Sequence, residues 1–230
     1  FPDDGEVVVV RRDSVEVFSL EGEPVDRALQ TVDWDDEAAE KAGYETFMLK
    51  EIHEQPIALA DTLAERIGPD GLVVLDGLGL SDEDIRGLQR IIIVACGTSY
   101  HAGLIGRHAL ERWARVPVEV EEASEFRYRD PLIGPGYLCI AISQSGETTD
   151  TLAAMRLARK AGVRVLAVTN IVGSQIAREA DGVLFTRAGL EIGVAATKTF
   201  LTQALAMLLL ALYIGEKRGT IDLEQELGFT

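Results

Sequence analysis

The sequence predicts a three-layer α/β protein built on a doubly wound parallel sheet, and three observations carry that expectation. From residue 91 onward, short apolar runs of strand length alternate with amphipathic segments of helical spacing, the pattern of a parallel sheet covered on both faces. A chain of 230 residues with 47% hydrophobic composition can bury a large core, which favours one domain with appendages over two full domains. Two of the apolar runs end in turns rich in hydroxyl side chains, at 96–99 (CGTS) and 143–148 (SQSGET).

Taken in order, residues 6–10 (EVVVV) and 14–18 (SVEVF) are β-branched runs separated by Arg11, Arg12 and Asp13, and they read as a hairpin that would be marginal alone in water. Residues 21–43 turn acidic and irregular around Trp34, as expected of a linker or a solvated surface strap. Helical spacing returns over 44–67 through Phe47, Leu49, Ile52, Ile57, Leu59 and Leu63, with Pro56 expected to divide the segment into two helices. Ser81 to Asp84, just before Ile85, form a capping-box pattern for one short helix. Strands are expected at 91–95, 116–120, 138–142, 164–168 and 182–185, and helices near 100–115, 125–128, 149–161, 174–180 and 197–216, with Gly162 as a helix C-cap. Five parallel strands so connected imply a flavodoxin-like sheet in the order 2-1-3-4-5, with a ligand crevice between the first and third strands at their carboxyl ends.

Both polar turns fall at that crevice. The hydroxyls of Ser143, Ser145 and Thr148, the amide of Gln144 and the free backbone N–H groups of the next helix would converge on one point, where the helix dipole also favours negative charge. With no Lys or Arg in the turn, an anion there would be held by neutral donors, which suits a small phosphoester better than a triphosphate carrying magnesium. Gly97 and Gly146 can adopt backbone conformations closed to other residues or let a ligand approach the main chain. One such turn reads equally well as a strand-to-helix connection with Ser and Thr caps; two at one switch point are a stronger signal.

The exclusions are as informative. Neither a G-x-G-x-x-G pattern nor a P-loop is present, which disfavours dinucleotides and magnesium triphosphates. A net charge of −16 argues against a nucleic-acid surface. Cys and His show no metal-ligand spacing, and no cofactor is implied. Cys96 and Cys139 sit in apolar runs and read as small buried residues of a reduced cytoplasmic protein. The apolar run 200–214 is too short to span a membrane and reads as a buried helix, with Leu201, Leu205, Leu208 and Leu209 facing the core or a second copy. Lys198, between Thr197 and Thr199, reads as a solvated or capping-region lysine rather than a Schiff-base former. His53, His101 and His108 are isolated. The chain opens on Phe1 without a methionine, so a piece of something longer is expected.

Residues 92–101 (IIVACGTSYH), 140–150 (IAISQSGETTD) and 191–200 (EIGVAATKTF) together resemble the first sugar isomerase (SIS) domain of the glutamine–fructose-6-phosphate aminotransferase (glucosamine-6-phosphate synthase) family. Residues 50–56 (KEIHEQP) resemble the lead-in to that family's isomerase half, and the early hairpin resembles the tail of its glutaminase domain. The resemblance implies a glutaminase tail plus linker over 1–43, the first SIS domain over 44–217 with a helical lead-in at 44–67, and over 218–230 the start of a linker to a second SIS domain. It implies that Ser99, Ser143, Gln144, Ser145 and Thr148 hold the phosphoryl group of fructose 6-phosphate or glucosamine 6-phosphate. Cys96, Gly97 and Thr98 would line the same pocket, Thr98 toward the sugar, and the main chain near Val194 would make a further contact. A cytoplasmic homodimer formed through the isomerase half is also implied, with no cofactor, metal, nucleic acid or membrane as partner.

The family's glutaminase nucleophile has no counterpart, since no cysteine precedes Cys96, and its isomerase catalytic groups belong to a second SIS domain and a C-terminal tail beyond Thr230. The expectation is a pocket that binds without turnover, with Glu147 and Glu191 the only evident acids near enough to act as a base. A stand-alone sugar-phosphate isomerase would need such a base. A sugar-phosphate sensing module of a regulator would bring a basic helix-turn-helix segment, whereas the N-terminal portion is acidic and opens with a hairpin.

Overall fold

The computed structural model describes residues 2–27 and 40–221. Most of the expected acidic linker, 28–39, and most of the expected C-terminal linker, 222–230, lie outside the described residues. The chain divides into two compact units, Phe1–Ala38 and Ala39–Thr230. In the first, β1 (Glu6–Val10) and β2 (Val15–Ser19) form the expected antiparallel hairpin, with Glu6 opposite Ser19 and Val10 opposite Val15. Its turn is closed by the Arg11 N–H donating to the Ser14 carbonyl at 2.8 Å, and Arg27 pairs with Asp3 and, at 2.7 Å, with Glu6. Val7, Val8, Val10 and Val15 remain exposed.

The second unit begins with α1 (Phe47–Leu63), capped by the Thr46 hydroxyl accepting from the Leu49 N–H at 3.1 Å. It is one continuous helix with Pro56 inside, not the two helices expected. Pro56 lies on the exposed side of α1, so the hydrogen bond lost to its ring falls where water can replace it. α2 (Asp82–Arg86) has the anticipated capping box: the Ser81 hydroxyl accepts from the Asp84 N–H at 3.1 Å, and the Asp84 carboxylate accepts from the Ser81 N–H at 2.8 Å. The Ser81 hydroxyl, which also donates to the Asp84 carboxylate at 2.7 Å, and then the Ser81 N–H hold that carboxyl below the usual range for an aspartate.

Five parallel strands follow: β3 (Arg90–Ala95), β4 (Val118–Glu122), β5 (Tyr137–Ser143), β6 (Arg164–Thr169) and β7 (Gly182–Phe185), side by side as β4-β3-β5-β6-β7. That is the 2-1-3-4-5 order the sequence predicts. The strands read as unbroken apolar runs because alternate residues feed two cores. Ile91, Ile93, Leu138, Ile140, Ile142 and Leu166 face one side, and Ile92, Val94, Cys139, Ala141, Val165 and Ala167 the other. The first face is covered by α3 (Gly97–Ala109) and α7 (Lys198–Arg218), and the second by α4 (Ala123–Phe126), α5 (Thr149–Lys160) and α6 (Gln175–Glu179). α3 starts three residues earlier than expected and passes into a π-helical turn, Leu110–Ala114, which Arg115 ends in the left-handed region at φ 54°. β4 begins two residues later than expected.

α7 is longer than its apolar run. At 21 residues it is long and apolar enough to cross a membrane by length and composition, but 61% of its most apolar stretch is buried within the chain. Met207, Leu209, Leu210 and Ile214 belong to the first core, with Leu205 and Leu208 packed at its edge.

Candidate functional site at the carboxyl ends of the sheet

β3 and β5 are paired in register, Ala95 opposite Ile142, so the chain leaves the sheet at the same level at Cys96 and at Ser143. The two hydroxyl-rich turns therefore stand side by side, as the topology requires. Both turn glycines have positive φ, 59° at Gly97 and 68° at Gly146, where any other residue is strained. A Cβ on Gly97 would meet nothing within 4 Å, so φ alone requires glycine there; at Gly146 a Cβ would also collide with the buried Ser174 hydroxyl.

The 143–148 turn is held by its own side chains. The Ser143 hydroxyl accepts from the Gly146 N–H at 3.1 Å and lies 3.0 Å from the Thr148 hydroxyl, and the Ser145 hydroxyl accepts from the Glu147 N–H at 3.2 Å. From just after β6, the Asn170 N–H donates to the Gln144 carbonyl at 3.1 Å. Ser143 and Ser99 are buried, Gln144, Ser145 and Thr148 half-buried, and Gly97 and Thr98 exposed. No side chain caps α3 or α5, whose N-termini face this crevice; Thr148, at the N-cap of α5, directs its hydroxyl to Ser143. The first-turn N–H groups of both helices are thus left without a side-chain acceptor from the cap, the arrangement that favours an anion.

The candidate bases are spent elsewhere. Glu147 accepts from the Gln175 N–H at 2.8 Å and so caps α6. Glu191 accepts from the Thr197 and Thr199 N–H groups at 2.9 and 3.3 Å, and from both threonine hydroxyls, so it caps α7. Lys198 is not the solvated lysine expected: it is 5% exposed, and its ammonium donates to Glu54 of α1 at 2.7 Å. Residue 198 opens α7 where that helix packs on α1, which turns the side chain into the protein. His101 and His108 are exposed, and His53 stacks on Tyr44 with ring centroids 5.3 Å apart. Cys139 is buried as expected, and burial pushes its thiol up to about 12. Cys96 is only half-buried because it has already left the strand, and its sulfur lies 4.0 Å from the Thr151 hydroxyl. Among the described residues, no cluster of His, Cys, Asp or Glu is placed to hold a metal.

Val194 lies in the segment joining β7 to α7, which leaves the sheet at the same carboxyl edge, and its side chain is fully exposed. Two residues not singled out from the sequence organise that segment. Asn170 accepts from the Ala188 N–H at 2.8 Å and donates to the Gly189 carbonyl at 2.7 Å, tying the segment to the strand that also holds the Gln144 turn. Glu51, 2% exposed on α1, accepts from the Ile192 and Gly193 N–H groups at 2.6 and 3.0 Å. The available signal was a polar residue directly after a strand for Asn170, and a glutamate on the buried stripe of a helix for Glu51.

A doubly wound α/β domain with an uncharged, hydroxyl-lined crevice at its switch point is the class that fold and site define. Residues 84–213 match the family model described as the SIS domain, and the chain belongs to the SIS domain family. It is 52% identical over 222 residues to a glutamine–fructose-6-phosphate aminotransferase [isomerizing] of Caldanaerobacter subterraneus subsp. tengcongensis, covering 96% of this chain and 36% of that one. It is 55% identical over 215 residues to the same enzyme of Streptomyces coelicolor, covering 94% and 35%. The chain thus spans about a third of the length of these relatives. Among solved structures, the C-terminal domain of glucosamine-fructose-6-phosphate aminotransferase from Francisella tularensis superposes with a TM-score of 0.75 at 41% identity, covering 83% of this chain and 53% of that one.

Proposed function

We propose that this chain is the sugar-phosphate-binding part of the isomerase half of a glutamine–fructose-6-phosphate aminotransferase, which converts fructose 6-phosphate and glutamine into glucosamine 6-phosphate and glutamate. The observation that carries the reading is the pair of turns leaving β3 and β5 at one level, with Ser99, Ser143, Gln144, Ser145 and Thr148 around two helix N-termini that no side chain caps. A phosphate dianion there accepts from neutral hydroxyls and main-chain N–H groups, each worth about 1.5–3 kcal/mol against a charged acceptor. Cys96, Gly97 and Thr98 line the same pocket, Thr98 toward the sugar, and the main chain near Val194 makes a further contact to the sugar. Residues 1–43 are the tail of a glutaminase domain with its linker, 44–217 the first SIS domain, and 218–230 the start of the connection to a second. The working enzyme is a cytoplasmic homodimer formed through its isomerase half.

Within this reading the chain binds and does not turn over. Interconverting a ketose and an aldose phosphate needs a base within about 3 Å of the C1 and C2 protons. Glu147 and Glu191 are both occupied as helix caps, which argues against a stand-alone isomerase. The test is calorimetric titration of the chain with fructose 6-phosphate. Ser145→Ala and Thr148→Ala should each weaken binding about tenfold or more while leaving thermal stability nearly unchanged. Binding as tight as the parent's in both variants removes this turn from the site.

A further inference from the structure

We propose that Glu51 is a positioning residue for sugar recognition: its buried carboxylate holds the 191–197 loop so that the loop's main chain forms one wall of the crevice beside the sugar ring. The inference rests on the sugar-phosphate reading above and names the device that gives the site its preference for a sugar.

A carboxylate only 2% exposed loses its hydration and persists only where hydrogen bonds replace it. Glu51 obtains them from the loop: its Oε1 accepts from the Ile192 N–H at 2.6 Å and the Gly193 N–H at 3.0 Å, and its Oε2 from the Gly193 N–H at 3.2 Å. The neighbouring lysines on this flank are engaged with another carboxylate, since Lys198 and Lys50 reach Glu54 at 2.7 and 3.6 Å. Gly193 packs so close that a Cβ would collide with Oε2 of Glu51, so an alanine at 193 would have to push that carboxylate out of its place on the loop.

Two other anchors bracket this clamp. Glu191 binds the loop to the start of α7 through Thr197 and Thr199. Asn170 binds the preceding segment at Ala188 and Gly189, and its own N–H donates to the carbonyl of Gln144 in the phosphate turn. The segment is thus one residue removed from the phosphate turn, and between its anchors Val194 and Ala195 are exposed at the carboxyl edge. Opening the clamp frees this wall, while the 143–148 turn, held by its own hydroxyls and by Asn170, keeps its shape.

The experiment titrates the full chain and its variants Glu51→Gln, Gly193→Ala and the double variant with both fructose 6-phosphate and inorganic phosphate. Each single variant should lose affinity for fructose 6-phosphate by roughly tenfold, the scale of one hydrogen-bonded contact, while affinity for phosphate stays within about twofold of the parent. The double variant should bind no more weakly than the weaker single variant, because both substitutions break the same contact. Should Glu51→Gln not fold, Gly193→Ala, which keeps the carboxylate, decides alone. Unchanged affinity for fructose 6-phosphate, or an equal loss for both ligands, overturns the assignment of Glu51. A parent that binds phosphate no less tightly than fructose 6-phosphate overturns the sugar-phosphate reading itself.

Discussion

The two flanks of the crevice are built from opposite chemistries. Around 143–148 the side chains other than Glu147 are neutral, with Ser143 buried and Gln144, Ser145 and Thr148 half-buried. Across the sheet, where α1 meets α7, Lys50, Glu51 and Lys198 are 6%, 2% and 5% exposed, and each is bonded to a partner in the protein. On the sugar-phosphate reading proposed above, the ionisable residues next to this site are scaffold and the uncharged ones are the recognition surface. A buried charge must be satisfied permanently and so holds backbone in place. A hydroxyl can give up a weak internal bond for a dianion that arrives, and it gains a stronger one by doing so.

That contrast can be broken most directly at Glu54. Removing it as Glu54→Ala leaves the buried Lys198 ammonium without its carboxylate, so the chain should lose about 3–5 kcal/mol of stability in denaturant unfolding. A loss under about 1 kcal/mol would mean that the flank does not depend on this pair for its stability. Glu191→Gln keeps the shape of the cap on α7 and removes its charge; it should cost about 1–2 kcal/mol and leave phosphate affinity unaltered. If instead the parent exchanges the C2 proton of glucosamine 6-phosphate with deuterated buffer and this variant does not, Glu191 is a base and the contrast between the flanks fails.

The effect that is smallest near neutral pH separates the two thiols. Cys139, buried in the sheet, stays protonated in the folded chain up to about 12, whereas the unfolded thiol ionises near its ordinary value of 9.0. The unfolded state therefore gains first as the solution is made alkaline, and this group's contribution to stability should fall by about 1.4 kcal/mol per pH unit between those values. That slope should be absent in Cys139→Ala. A thiol reagent should modify the half-buried Cys96 in the folded chain and reach Cys139 only on unfolding, which titration with and without denaturant would record.

Much of the fold was legible because its signals are local. The alternation of apolar runs with helical spacing located all five strands to within about two residues, and β-branched residues flanking a short polar turn placed the hairpin. The hydroxyl-rich turns were legible because a strand's carboxyl end, a glycine with positive φ and a helix start all announce themselves within a few residues of one another. Pro56 misled because a proline's effect depends on which side of the helix faces water, and that is known only once the helix has packed. Lys198 misled for the same kind of reason: between two threonines at a helix start it looks solvated, and only the approach of α1 buries it.

The sequence by itself determined the strands and the two hydroxyl-rich turns, since each follows from the periodicity and chemistry of a short stretch, and the alternation of strands with helices implied the order 2-1-3-4-5. Only the tertiary structure decided what the charges do. Glu51 and Gly193 lie 142 residues apart and meet because the sheet brings the segment after β7 against α1. No local pattern carries that information, for the worth of a buried carboxylate is set by the donors that surround it, and those arrive from elsewhere in the chain.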